Sequence, residues 1–247
     1  MKTCKNIMNI SKLKLMLVLM IVVFFEGFMD LKKTSLNLVV GWIFGYVNLS
    51  RHDLFVVSLL RLIIPQIAIL FLWGDFIHEN LVKNYQLIFS RTRKTHSVLN
   101  KFFSQLLINV TITTILMEML IVLLYMLKGY KVSNPVDLFL DLSIYCIYIN
   151  GLLVFVNGLS LGVNCIYGVI IGLTLQIISF EVDYNILQGD MAVRPKIYYI
   201  CPTSPIMFIE NIGINLRPKI IWCLGLVGLT AIFYIVTCIC TKRKEFI

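Results

Sequence analysis

Apolar residues along this chain come in long unbroken blocks, with polar residues gathered between them. Alternation with period two, the mark of a half-buried strand, is absent, and the blocks have the length of membrane-crossing helices, about 20 residues each. The first block runs from about Leu15 to Asp30, behind a start bearing Lys2, Lys5, Lys12 and Lys14. Phe25-Glu26-Gly27 makes a poor signal-peptidase site, so an uncleaved helix is predicted there. The second block is Leu54–Gly74 and the third Phe102–Leu127. Leu138–Phe180 is then almost continuously apolar for 43 residues, twice a membrane thickness. It predicts two helices, 138–157 and 162–180, with a tight turn in the region of Asn157-Gly158 to Asn164. Ile220–Cys240 is the last block. Leu36–Leu49 is apolar but only 14 residues long, and with Trp42 and Tyr46 it reads as interfacial or re-entrant. The expectation is an all-α membrane protein: one transmembrane domain over 1–247, with six transmembrane helices and short interfacial or re-entrant outer segments.

Composition agrees. Of 247 residues, 59% are hydrophobic and 14% charged, against about 45–50% and roughly 25% in soluble domains. The mean hydropathy is +0.87. That excludes a soluble enzyme and a disulfide-rich secreted domain. The seven cysteines contain no C-x-x-C pair, so neither a zinc nor a redox motif is present, and no metal or cofactor is expected.

Net charge is +9. In a soluble protein this would point to nucleic acid; here its distribution sets orientation instead. With both termini cytosolic, segments 1–14, 75–101 and 241–247 together carry +9, and the outer segments carry +1. This is the positive-inside pattern. Treating Leu36–Leu49 as a further span would place the basic segment 75–101 outside, so it is not counted as one.

Segment 75–101 is the most informative. Ile77, Leu81, Tyr85 and Ile88 recur at helical spacing, while Glu79, Lys83, Gln86 and Ser90 fill the other face. Glu79 and Lys83 form a favourable i,i+4 pair. An amphipathic helix along the membrane surface is predicted, followed by the basic run Arg91-Thr92-Arg93-Lys94 and by Lys101. The residues alone leave two readings open: a topology anchor on anionic headgroups, or an element that docks into a soluble partner.

This segment resembles the cytosolic loop of ABC-2-type transporter permeases. In that family a Glu after span two precedes an amphipathic coupling helix, a Ser/Pro-Arg turn and a Lys that opens span three. Glu79, Ser90-Arg91-Thr92-Arg93 and Lys101 stand at those places; Lys83-Asn84 replaces the family's Gly-Thr. The six-helix plan, the length and the outer prolines Pro202 and Pro205 match as well. The nearest flavour is the small bacterial permeases of lantibiotic or bacteriocin immunity and peptide export. The resemblance implies a bacterial plasma-membrane permease that exports a peptide or amphiphile. It would pair with a second permease, identical or sister, and with a separate ATPase that contacts the coupling helix Phe76–Phe89. By it, Glu79, Lys83, Tyr85, Ser90, Arg91, Arg93 and Lys101 form the ATPase-coupling set.

The chain has no G-x-x-x-x-G-K-[ST], so it does not hydrolyse ATP itself. No H-E-x-x-H occurs. Gly158-Leu159-Ser160-Leu161-Gly162 matches G-x-S-x-G but lacks a preceding strand and a neighbouring His, and Gly158 with Gly162 reads better as a helix-contact G-x-x-x-G. No catalytic residue is assigned. Glu26, Arg61 and Glu118 lie inside predicted spans, where charges must face protein or water. At 1.5 Å per residue Arg61 and Glu118 sit at similar depths, roughly 10 and 13 Å below the outer boundary. An Arg61–Glu118 ion pair, or a shared outward cavity, is expected. The alternatives to a permease are a non-transporting immunity or binding protein and a membrane-embedded enzyme.

Overall fold

The computed structural model describes residues 35–44, 55–81, 95–188 and 216–243. Six helices build it: α1 Leu36–Ile43, α2 Phe55–Trp73, α3 Thr95–Leu127, α4 Pro135–Gly162, α5 Cys165–Gln188 and α6 Leu216–Arg243. There is no strand among the described residues. Five of the helices, all but α1, are long and apolar enough to cross a membrane, and α2 counts as running on to Leu81. The chain is therefore a multi-pass membrane protein. The span expected over about 15–30 lies outside the described residues, as does the outer Pro202–Pro205 segment.

Local chemistry explains the ends. Asn134 caps α4: its Oδ1 accepts from the N–H groups of Val136 (3.1 Å) and Asp137 (3.4 Å), with Pro135 opening the helix. α3 ends on Gly129, whose φ of +88° is open to glycine at low cost. The N–H groups of Gly129 and Tyr130 bond back to the carbonyls of Met126 and Tyr125. In α2, Pro65 lacks the N–H that would reach the carbonyl of Arg61, a gap that membrane helices tolerate inside a bundle.

Some boundaries differ from expectation. The break in the long apolar stretch falls at Val163-Asn164, so Asn157 and Gly158 are helical rather than part of the turn. Asn157 stays in the helix because its side chain is engaged in tertiary contacts. α3 starts at Thr95, seven residues before the apolar block, because polar residues continue a helix wherever water or a neighbour receives them. α1 is an eight-residue helix with Leu36, Val39, Val40 and Ile43 all buried, as is Phe44 just after it, so it is packed into the bundle. The Leu36 N–H bonds to the Lys131 carbonyl (3.0 Å), and the Asn37 side chain bonds to the Asn134 carbonyl (2.7 Å) and the Ser133 N–H (3.2 Å). α1 thereby covers the α3–α4 turn.

α4 is the hub. Its most apolar window is 61% buried, against 17% for α6. α6 lies parallel to α4, and their meeting points repeat every seven residues: Gly151 faces Thr230 and Gly158 faces Thr237. A Cβ at Gly151 would come within 2.7 Å of the Thr230 hydroxyl, and one at Gly158 would collide with Thr237. On the other side α5 presents Gly168 and Gly172. Added Cβ atoms there would stand 2.9 Å from the Val156 carbonyl oxygen and 2.6 Å from Val156 Cγ2. A Cβ added at Gly162, the second glycine of the expected G-x-x-x-G, would meet nothing within 4 Å. The motif that operates runs Gly168-x-x-x-Gly172 on α5. Small residues let backbones approach, which matters in lipid, where apolar burial alone does not favour helix association.

Gly158→Leu is expected to force α4 and α6 apart and to cost about 1–3 kcal/mol, the usual range for overpacking. Gly162→Leu, in open space, should stay within ±0.5 kcal/mol, typical of changes away from tight contacts. Thermal unfolding in detergent measures both, and equal losses would disprove the seam.

Candidate functional site

Beyond Trp73 the chain breaks at Gly74-Asp75 and restarts as a helical turn over 76–81. Breaks at membrane depth leave backbone groups unmet, and each must find a partner. Here one amide of α4 supplies them. Asn157 Oδ1 accepts from the Ile77 N–H (3.0 Å), while its Nδ2 donates to the carbonyls of Trp73 (2.8 Å) and Leu153 (3.0 Å). Ile77 is fully buried, and Trp73 Nε1 donates to Thr113 Oγ1 on α3 (3.2 Å). The arm leaving α2 is therefore fastened to both α3 and α4.

Glu79 is exposed on this arm. Asp75 and Glu79 both act electrostatically on Cys165, the first residue of α5, so acidic side chains lie near a helix N-terminus, the end that favours negative charge. Lys101 is exposed on α3. Lys83, Tyr85, Ser90, Arg91 and Arg93 lie outside the described residues, so the structure shows only the two ends of the expected coupling segment.

Among the intramembrane charges, Glu118 is buried and sets its field on Cys146 of α4. Among the described residues its Oε1 has no hydrogen-bond partner, so none of them holds the carboxylate in the two-pronged grip that an arginine gives. Arg61 is partly buried on α2, and Glu26 lies outside the described residues. Nearby, Asn150 bridges α4 to α3, its Nδ2 donating to Thr111 Oγ1 (3.1 Å) and the Cys146 carbonyl (2.9 Å).

Two clusters were not singled out from the sequence. At the end of the bundle where α4 and α6 begin, Lys219 Nζ contacts Asp141 Oδ1 at 2.8 Å and Asp137 Oδ1 at 3.2 Å. All three are at least nine-tenths buried. Asp137 Oδ2 also accepts from Asn134 Nδ2 (2.8 Å), which joins the ion cluster to the α4 cap. The signal was present: Asp137 and Asp141 stand four apart at the head of an apolar block, but cutting the block at 138 left Asp137 outside it and split the pair. The second cluster is neutral. Gln176 Nε2 on α5 donates to the Tyr148 hydroxyl on α4 (2.9 Å), and Gln66 of α2 approaches the same hydroxyl. Both glutamines are buried, and neither amide atom of Gln66 nor the Oε1 of Gln176 has a hydrogen-bond partner among the described residues.

Ser160 of the G-x-S-x-G match is buried in the last turn of a helix and donates to the Asn157 carbonyl (2.7 Å). No group of three or more metal-ligating side chains occurs among the described residues.

Removing Lys219 as Lys219→Met should cost about 3–5 kcal/mol by leaving buried carboxylates uncompensated. Adding Asp137→Asn and Asp141→Asn should recover most of that loss, as read from thermal unfolding; no recovery would mean that the charges do not interact. Asn157→Leu should unmask the arm. Hydrogen exchange over 74–81 is expected to rise at least tenfold, consistent with about 1–3 kcal/mol for stranded backbone groups. Unchanged exchange would show the amide to be dispensable.

No family model matches the chain, and no curated protein or solved structure matches it either. What the chain does is therefore inferred from its own residues.

Proposed function

We propose that the chain is the membrane-spanning permease subunit of an ATP-binding-cassette transporter of the ABC-2 type, in which a separate ATPase supplies the power and a second permease completes the pathway. The reading carries a plasma-membrane location, six spans with cytosolic termini and export of a peptide or amphiphile. The observation that supports it is the fastened arm. Asn157 ties the start of segment 75–101 to α4, Trp73 ties it to α3, and Glu79 is left exposed at the tip. A push on such an arm reaches three spans at once, which is what a coupling element requires. A bare topology anchor has no need of a tertiary splint.

A second reading, a non-transporting immunity or binding protein, is favoured by the buried ion cluster and glycine seams, which describe a tightly held bundle. Purification separates the two. Tagged chain extracted from its native membrane should carry a Walker-motif ATPase in stoichiometric amount. Glu79→Ala and Arg91→Ala should each cut the recovered ATPase at least fivefold while leaving yield and melting temperature unchanged. Chain that elutes alone, or variants that retain wild-type ATPase, would overturn the permease reading.

A further inference from the structure

Glu118 takes no part in the coupling arm, and its surroundings are unusual for an acid. It lies roughly 13 Å below the Leu127 end of its span at 1.5 Å per residue, and it is only 4% exposed. The same stretch of α3 buries Val110, Thr114, Met117 and Ile121. The helices against α3 offer no counter-charge. α4 presents the Cys146 thiol, itself an acid. α1 has no titratable residue. Among the described residues no cationic side chain acts on the carboxyl, Arg61 of α2 included. α6 meets α3 near its opposite end, where the Tyr234 hydroxyl donates to Asn100 Oδ1 (2.6 Å) and the ring packs on Phe103.

Hydrogen bonds do not replace the missing charge. Among the described residues Glu118 Oε1 has no partner, and neither has the Thr114 hydroxyl one turn earlier on α3. A carboxylate would draw such a hydroxyl into a charge-assisted bond, and none forms. Nor is there room for a cation or a water, since no water-sized space opens beside Oε1. A proton needs no space of its own. It sits on the carboxyl, cancels the charge and gives an acceptor-only group an O–H to donate. Enclosing an ionised carboxylate at this depth with nothing to offset it is the costlier arrangement.

We infer that Glu118 is a proton-binding site enclosed by the α3–α4 seam, a neutral acid while the two helices lie together, which exchanges its proton only when they part. Two turns earlier on α3, the Asn150–Thr111 bridge holds the seam shut (3.1 Å). Between bridge and acid, Thr113 accepts from Trp73 Nε1, so the arm leaving α2 is fastened to α3 beside the site. Movement of that arm is a way for the seam to open, and the proton then follows the position of α3. The proton site does not depend on an ATPase or on transport.

Infrared spectroscopy of the full chain in nanodiscs at neutral pH tests this. Glutamate labelled with carbon-13 at its side-chain carboxyl separates the bands of interest from those of Asp137 and Asp141. The unaltered chain should show the C=O stretch of a protonated glutamic acid, and Glu118→Gln should remove it with the melting temperature unchanged. Glu118→Met, of like length and uncharged, gives the same comparison by a second route. Just after mixing into deuterated water the band should still be unshifted, and it should then move as the seam opens. Asn150→Leu, which removes the bridge, should speed that shift about tenfold, the scale of one hydrogen bond. Loss of carboxylate stretches alone in Glu118→Gln would show an ionised acid and overturn the inference. So would a melting temperature that falls in both variants, since the charge would then be in use. A band fully shifted on mixing would mean a carboxyl open to water, and a wild-type exchange rate in Asn150→Leu would remove the seam as its gate; either result overturns the enclosed site.

Discussion

Close approach of α4 to its two neighbours is the condition on which the rest of the bundle depends. In water, burial of leucine and isoleucine would draw the helices together; in lipid the same side chains are equally content facing acyl tails, and contact must come from fit. Gly151 and Gly158 let α6 lie against α4, and Gly168 and Gly172 let α5 do the same. The two approaches make α4 the axis of the molecule. Every polar contact described above either starts on α4 or ends within one helix of it: Asp137 and Asp141 to α6, Asn150 to α3, Asn157 to the arm of α2, and Tyr148 to α5. A helix carrying that many obligations has little freedom, and its neighbours take their positions from it.

The polar groups divide by depth. One end of α4 is held by charge, where Lys219 and two carboxylates are enclosed together. The other end is held by a neutral amide that completes the backbone of an interrupted helix. Between them lies a layer with surplus hydrogen-bonding capacity, in Glu118, Gln66 and Gln176. An ion cluster at a bundle end tolerates contact with headgroups and water, whereas an amide is the cheaper device where the backbone itself needs partners. The intermediate layer is unlike either, because its polar atoms exceed what the described residues can satisfy.

Much of this arrangement was legible in the residue pattern. Leu54–Gly74 predicts α2 to within a residue at each end, since apolar runs bounded by Asp53 and Asp75 leave little choice. The division of Leu138–Phe180 follows from length alone, but its position does not. Asn157-Gly158 has turn chemistry in isolation, and only the presence of Trp73, Ile77 and Thr237 across the interface keeps it helical. The first glycine of the anticipated contact motif stands at a close helix contact and the second leaves room for a Cβ, because the spacing that matters, seven residues on α4, shows its meaning only against a partner with the same spacing on α6. Arg61 and Glu118 drew attention as charges, while Gln66 and Gln176 did not, though an amide at the same depth is under the same pressure to find partners. Asp137 and Asp141 were visible as a pair, but a boundary drawn three residues late left Asp137 in the loop and Asp141 in the helix.

Thr230 and Thr237 each turn their hydroxyl back to a carbonyl of their own helix, Leu226 and Phe233 respectively, at 2.8 Å. The hydroxyl oxygens that face Gly151 and Gly158 are thus engaged within α6, and the contact between these threonines and glycines is one of fit. What remains is a thread. A seven-residue repeat on straight helices drifts by about 20° per repeat, so the pair winds left-handed. Sliding α6 along that groove obliges it to rotate, and the next register in which threonine again meets glycine lies about 10 Å away, seven residues on. A full step would tear Lys219 from Asp137 and Asp141, so the ion cluster fixes the one register out of those the thread repeats.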